Sequence, residues 1–353
     1  MELNRRQFVC GTAAAAAAGI IGANLTGCGS DSGNSVEKVE KVVFAWEPNE
    51  STTTYDGMRD EVAKCFETGG GVPCEMMTTT DYNVTIESLV SGKAQFASLG
   101  ASEYLECHSK NNDVNIAFVL SNDEGELDPV SYYSQICVRT EDADKYKDAD
   151  GNYCLDNIKG KSFSFVNLNS TSGFVVPATV IKNQFGLSST DDVAEGGDYK
   201  FFSEVLLPGS HPGSLYNLIS GDADIAVFAD YLTDPFTELV SGTAGTAGAV
   251  FKIKKGCDTP LDKSAGKSYT IIDSLAVPAV PICVNEGAID DETREKIIEY
   301  MTGDEVANNK KIFPDPDDTD TVSNWSKTTD KVRFVTADDS YYDDFRKMIG
   351  YEG

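Results

Sequence analysis

Asn169-Ser170-Thr171-Ser172-Gly173-Phe174-Val175-Val176-Pro177 is the stretch on which the reading of this chain turns. It follows Ser162-Phe163-Ser164-Phe165-Val166, an apolar and aromatic run that reads as a buried strand. Beyond it, Phe174, Ala178, Ile181 and Phe185 recur at spacings of four, three and four, which places them on one helical face. Three hydroxyl side chains thus stand where a strand ends and a helix begins. The first N–H groups of a helix have no intrahelical partner, and the helix dipole favours negative charge there. Hydroxyls and free amides together form an uncharged socket for an oxyanion. The plainer alternative is a Ser or Thr helix cap with no further role. Pro177 removes a helix hydrogen bond if it lies beyond the first turn, so the helix is expected to start late or kink there.

Working outward, the chain alternates strand and helix signals. Lys41 to Trp46 reads as a strand, Glu47 to Ser51 as a loop, and a helix runs on to about Phe66. A strand at Cys74–Met77 precedes Asp81-Tyr82, which opens a helix with Ile86, Leu89 and Val90 inward and Gly92 as its stop. Ala94 to Leu99 is a strand, Gly100-Ala101-Ser102-Glu103-Tyr104 opens another helix, and Asn115 to Leu120 is again a strand. Tyr132 to Arg139 reads as a first crossover and Ser274 to Val284 as a second. Between them lie the signature stretch, the loop Gly209-Ser210-His211-Pro212-Gly213-Ser214 before a short helix ending at Gly221, and strand Ile225–Phe228. A helix over Asp290–Met301 returns to the first half, and Tyr341–Ile349 reads as a terminal helix, packed or frayed. Such alternation implies α/β architecture with parallel sheets. Asp148-Ala149-Asp150-Gly151 lacks the spacing and final Glu of an EF-hand and reads as a solvated turn.

The nine-residue stretch resembles the signature loop of the phosphate/phosphonate-type substrate-binding proteins of ABC importers. In that family the Ser-Thr-Ser run donates to a phosphoryl group, which implies ligand contacts from Ser170, Thr171 and Ser172. The resemblance extends over most of residues 41–300. It implies a bilobal type II periplasmic-binding fold, two parallel-sheet lobes joined by two crossovers. It carries Tyr82 over as a cleft-lining tyrosine and His211, in a G-x-H loop, as a donor to a phosphoryl oxygen. Many members have an aromatic residue before the glycine of the Gly100 turn, where this chain has Leu99; Ser102 and the amides of Ala101 and Ser102 remain candidates on helix-terminus grounds. Relatives that bind aminoalkyl phosphonates place a Glu just after the strand equivalent to Ile225–Phe228, and an Asp between two prolines in the second crossover. Here Asp230 and Tyr231 stand at the first place and Val280 at the second. A buried ammonium without a carboxylate is costly, so an aminated ligand is disfavoured unless Asp230 substitutes.

The amino terminus reads as an export segment. Asn4-Arg5-Arg6-Gln7-Phe8 matches the twin-arginine pattern, and the apolar run Ala13–Ile21 is too short for a permanent span. Leu25-Thr26-Gly27-Cys28 resembles a lipobox, which implies a lipid on Cys28 and a protein held at the outer face of the bacterial cytoplasmic membrane. The expected organisation is a signal over 1–27, a tether over 28–40, a first lobe over 41–130 plus 286–353, and a second lobe over 131–285 including the crossovers.

Composition narrows the partners. The chain carries −28 formally; residues 1–27 carry +1 (Arg5 and Arg6 against Glu2), leaving −29 on the remainder. That excludes nucleic acid, which needs a basic footprint. It does not exclude an anion, because surface carboxylates beyond a Debye length of about 8 Å are largely screened. Besides Cys10 and Cys28 there are seven cysteines; Cys65 and Cys74 flank a Gly-rich turn and can close a short loop, and an odd count leaves a free thiol. With no C-x-x-C and only His108 and His211, no metal centre and no cofactor are implied. The expected function is lipid-anchored capture of a phosphoryl oxyanion (phosphate, phosphite or a small phosphonate) by a monomer that delivers it to an ABC permease and ATPase. The alternatives are a sensor partner of a membrane receptor and an enzyme on the same fold with Ser172 as nucleophile and His211 as base; the chain has no G-x-S-x-G elbow for the latter.

Overall fold

The computed structural model describes residues 36–351 apart from 52, 316, 319 and 326. The expected export segment and Cys28 lie outside the described residues. Chain order is β1 (Val42–Trp46), α1 (Asp56–Gly70), β2 (Cys74–Thr78), α2 (Tyr82–Val90), β3 (Phe96–Ser98), α3 (Ala101–Lys110) and β4 (Val114–Leu120). β5 (Ser131–Arg139) crosses over. There follow β6 (Ser162–Ser164), α4 (Val176–Phe185), β7 (Glu204–Leu206), α5 (His211–Ser220), β8 (Ile225–Ala229), α6 (Asp230–Thr233), β9 (Thr237–Ser241) and β10 (Val250–Ile253). The chain returns through β11 (Ser268–Pro278) to β12 (Ile282–Asn285), α7 (Asp291–Met301), α8 (Asp304–Ala307), β13 (Phe334–Val335) and α9 (Asp343–Ile349).

Two sheets result, in the orders β13-β4-β12-β3-β1-β2 and β7-β6-β8-β5-β11-β10-β9. Each has a parallel heart, β2-β1-β3 in the first and β7-β6-β8 in the second. The expectation of parallel sheets holds only there, and both sheets are mixed. The crossovers supply the antiparallel neighbours: β5 runs against β8 and β11, and β12 against β3 and β4. The hairpin-like strands β9 and β10 extend the second sheet antiparallel. Because β12 pairs with β3, the first sheet begins again at residue 282.

Burial follows from the pattern. On the first sheet Phe44 stacks on Trp46, and Phe66 meets both Phe44 and Phe96 edge to face, with Ile297 and Met301 of α7 in the same cluster. In the second, Phe163, Phe165 and Phe202 meet the helical face of Phe174, Ala178 and Ile181. Pro177 is accommodated because α4 begins at Val176, so the ring occupies its first turn. Just before it the chain makes a wider turn, with Val175 N donating to Ser170 O across five residues. All seven cysteines of the described residues are free thiols, so the short Cys65–Cys74 loop is not closed; Cys65 faces the core from α1, beside Asn309. Asp148 Oδ1 accepts from the amides of Asp150 and Asn152 at 2.9 Å, a self-contained turn. The tether stretch is already attached to the body at Val39, whose amide donates to Asp290 Oδ2 at 3.0 Å. Among the described residues no helix is long and apolar enough to cross a membrane.

The crossovers lie side by side, β5 and β11 pairing over their full length from Ser131↔Pro278 to Arg139↔Tyr269. The terminal segment is packed on them: Tyr342 is fully buried and donates to Ala279 O at 2.6 Å. Tyr342→Phe leaves that buried carbonyl unpaired and is expected to cost about 1–3 kcal/mol of unfolding free energy in urea titrations, with the m-value unchanged.

Candidate binding site

The parallel strands of both sheets deliver their carboxyl ends to one place, which is where α/β folds commonly present ligand-binding groups. β1 leads into Glu47 and Asn49, β3 into Gly100 and Glu103, β6 into Ser170–Ser172, β7 into His211, and β8 into Tyr231 and Leu232. Together with Tyr132 and Val280 from the two crossovers, these residues enclose a cavity of about 10 Å³, room for little more than one water-sized sphere.

The signature loop is buried: Ser170, Thr171 and Ser172 are 2, 1 and 3 % exposed. Ser170 Oγ caps the turn by accepting from Gly173 N at 3.2 Å. Gly173 has to be glycine, since a Cβ there would overlap the Val166 side chain. Thr171 reaches across to the first lobe. Its amide donates to Glu103 Oε1 at 3.2 Å and its hydroxyl to Glu103 Oε2. Ser102 N donates to Thr171 Oγ1 at 2.8 Å, and the Ser102 hydroxyl is shared between Glu103 Oε2 at 2.9 Å and Asn169 O at 3.1 Å. Further bonds join the lobes, among them His211 N to Asn49 Oδ1 at 3.1 Å, Asn169 Nδ2 to Asn83 Oδ1 at 2.9 Å and Thr54 Oγ1 to Asp258 Oδ2 at 2.8 Å. The signature loop is thus bonded to the first lobe across the cleft.

His211 is 1 % exposed. Its Nδ1 accepts from Ala229 N at 2.8 Å, which fixes the ring proton on Nε2. Burial holds its pKa down to about 3, so it is an uncharged donor at neutral pH. Tyr82 lies one layer behind the cavity wall. Its hydroxyl accepts from Asn49 Nδ2 at 2.7 Å and is also hydrogen-bonded to Ser170, while burial raises its pKa. Tyr132 bonds Ser172 and is likewise raised by burial. Glu103 is 1 % exposed, and loss of hydration pushes its pKa up to about 7, against the lowering effect of the Thr171 bond.

A family model described as ABC transporter, phosphonate, periplasmic substrate-binding protein matches residues 44–342. The chain belongs to this family. The family is one of transporter binding proteins rather than enzymes. The chain is 25 % identical to the phosphate-import protein PhnD of Mycolicibacterium smegmatis over 198 residues, 55 % of this chain and 57 % of that one. The match therefore spans little more than half the length of that relative. Among solved structures, a binding-protein component of an ABC phosphonate transporter from Pseudomonas aeruginosa superposes with a TM-score of 0.59 at 17 % identity, covering 87 % of this chain and 85 % of that one. PhnD1 from Prochlorococcus marinus, in complex with methylphosphonate, gives 0.57 at 11 % identity, with 88 % and 97 % covered. These superpositions show the fold, type II periplasmic-binding architecture.

Against the family expectation, Ser170, Thr171, Ser172, His211 and Tyr231 do come together on the cavity wall, with Tyr82 behind them. Ser102 and Ala101 do not line it: the Ser102 amide and hydroxyl are engaged by Thr171, Asn169 and Glu103. Asp230 lies instead in a neighbouring cavity of about 370 Å³ that shares Tyr132, Tyr231 and Val280 with the first. There its Oδ1 accepts from the amides of Tyr231 (2.8 Å) and Tyr133 (3.2 Å), and burial raises its pKa to about 6. Leu99 is fully buried and makes no part of the wall. Sequence reasoning missed Glu47, Asn49, Glu103 and Tyr132. Their signal was position: each family-matched loop follows a parallel strand, and so do Glu47-Pro48-Asn49 and Gly100–Glu103.

The two perturbed groups act on stability with opposite signs. His211, held down, contributes stability that is full above its unfolded pKa of about 6.5 and is lost as pH falls toward 3. Glu103, pushed up from 4.5 to about 7, contributes stability that is full below 4.5 and is lost as pH rises through 7. The difference in unfolding free energy between the native protein and Glu103→Gln should therefore shift by about 3 kcal/mol against the native protein from pH 4.5 to 7 and stay level above, as read from urea midpoints at each pH.

Proposed function

We propose that this protein captures a phosphoryl oxyanion (phosphate, phosphite or a small phosphonate) between its lobes and hands it to an ABC permease with its ATPase. The observation that carries the reading is the convergence of Ser170, Ser172 and the Nε2–H of His211 on one small, buried cavity. All are uncharged donors, fixed in place by Gly173 N, Tyr132 and Ala229 N. Hydrogen bonds to a charged ligand are worth about 1.5–3 kcal/mol each before the costs of binding, so a handful suffices for micromolar affinity. The similar proteins support the ligand class, being phosphate- and phosphonate-associated by description. Nothing in the wall favours an enzyme: Ser172 contacts Tyr132, and the His211 Nδ1 that would take a nucleophile's proton is occupied by Ala229 N.

Polarity ranks the ligands. Val280 makes part of the cavity wall apolar where aminophosphonate-binding relatives are expected to hold a carboxylate. Asp230 stands in the adjoining cavity, beyond the edge-to-face pair of Tyr132 and Tyr231. Calorimetry should give tighter binding of phosphate, phosphite or methylphosphonate than of 2-aminoethylphosphonate. Ser172→Ala should weaken every binder alike, and Val280→Asp should selectively recover the amine. Tightest binding of the aminated ligand to the native protein would sink this ranking, and no binding of any of the four would sink the oxyanion reading.

Lipidation of Cys28 after twin-arginine export, with attachment to the outer face of the membrane, completes the proposal; the sequence Leu25-Thr26-Gly27-Cys28 supports it. A lipid chain contributes about 0.8 kcal/mol per buried CH₂, so Cys28→Ala should move the protein from the membrane pellet to the soluble fraction in high salt. A variant that still sediments with membranes under those conditions contradicts the anchor.

A further inference from the structure

The cavity wall carries two acidic side chains and no basic one: Glu47 and Glu103 line it, and no Lys or Arg does. The other titratable groups facing Glu103 are Tyr82 on α2, Tyr132 on β5, His211 on α5, Cys283 on β12 and Cys107 on its own helix. Burial keeps all five uncharged at neutral pH. It raises the tyrosines and cysteines and lowers His211. No neighbour on that list can neutralise an anion.

Glu103 is bonded into the recognition loop itself. Its two oxygens accept from the amide and hydroxyl of Thr171 and from Ser102 Oγ at 2.9 Å. Its neighbour Gly100 is held to glycine by this arrangement, because a Cβ there would overlap both Glu103 Oε2 and Thr171 Oγ1. A carboxylate and a phosphoryl dianion repel one another at hydrogen-bond distance in a buried site unless a proton stands between them, as paired carboxylates hold one.

Resting on the oxyanion reading above, we propose that Glu103 is the specificity-determining residue of this site: it admits a phosphoryl acid only with one proton shared between its carboxyl group and a ligand oxygen. The bond is either a ligand P–OH donating to the Glu103 carboxylate or a protonated Glu103 donating to P–O⁻. The two are one hydrogen-bonded pair with a single proton count. The preferred ligand class is therefore a small tetrahedral acid that keeps or regains a proton near neutral pH. Sulfate, which holds none there, is discriminated against. Binding is also linked to pH. Above the pKa values of both partners the free species carry no shared proton, and each ligand captured takes one from solvent. Glu103, already raised to about 7, is placed to supply that proton at little cost.

The test is proton counting on the full protein. Calorimetry with methylphosphonate at pH 8 in buffers of different ionisation enthalpy should show uptake of about one proton per ligand. The affinity should fall about tenfold per pH unit between pH 8 and 9. Glu103→Gln keeps the shape but cannot hold the proton. Its affinity should be level over that range, its proton uptake should vanish, and its preference for phosphate over sulfate should narrow. If that variant does not fold, the proton count on the native protein decides alone. A native affinity that is level from pH 6 to 9 with no proton exchanged overturns the assignment, as does a Glu103→Gln protein with the native slope; either leaves the oxyanion reading standing. Failure of the native protein to bind phosphate, phosphite or methylphosphonate anywhere in that range overturns both.

Discussion

Everything in the cleft depends on one contact across it, the buried carboxylate of Glu103 against the amide and hydroxyl of Thr171. The group is taken out of water on both sides, so its lone pairs have to be met by protein donors, and the recognition loop supplies them. That requirement fixes the first turn of the loop and holds Ser102 to it. The price is a carboxyl group whose charged form is disfavoured. Of the two carboxyl groups on the wall, Glu47 and Glu103, it is Glu103 that is tied to the recognition loop and whose charge state can change near neutral pH.

The fold makes that contact possible through strand direction. The parallel hearts of the two sheets point their carboxyl ends inward, so the loops after β1, β3, β6, β7 and β8 reach the cavity, joined there by Tyr132 and Val280 from the crossovers. The antiparallel strands serve another purpose. β5 and β11 pair along their whole length and β12 carries the chain straight back into the first sheet, so the joint between lobes is a two-strand ribbon rather than a pair of loose linkers. A ribbon bonded along its length resists twisting more than a single strand does.

Much of this could be read from residues alone, and the limits have physical causes. The Phe174–Phe185 periodicity, the Asp81 and Ser170 caps and the Gly221 stop are local signals, set by side-chain spacing and by backbone groups within a few residues. They were legible for that reason. Sheet polarity was not: β9, β10 and β13 are short, and their pairing depends on where distant segments lie. The same distinction divides the site. Ser170, Thr171, Ser172 and His211 sit in loops with a matched pattern. Glu103 in the first turn of α3 looks like an ordinary complement to a helix dipole, and only its distance from Thr171, 68 residues on, gives it another meaning. Asp230 shows the converse, a residue adjacent in sequence to the wall whose side chain is drawn to the next cavity by the Tyr133 and Tyr231 amides.

The last helix has a use of its own. Tyr342 is bonded to the second crossover, Val130 N in the first donates to Tyr341 Oη at 3.5 Å, and Tyr351 donates to Leu105 O at 3.2 Å on α3. The described chain therefore ends at the fulcrum, braced against the first lobe and both straps of the joint. A fluorophore attached at Tyr351 would ride on the axle rather than the jaw.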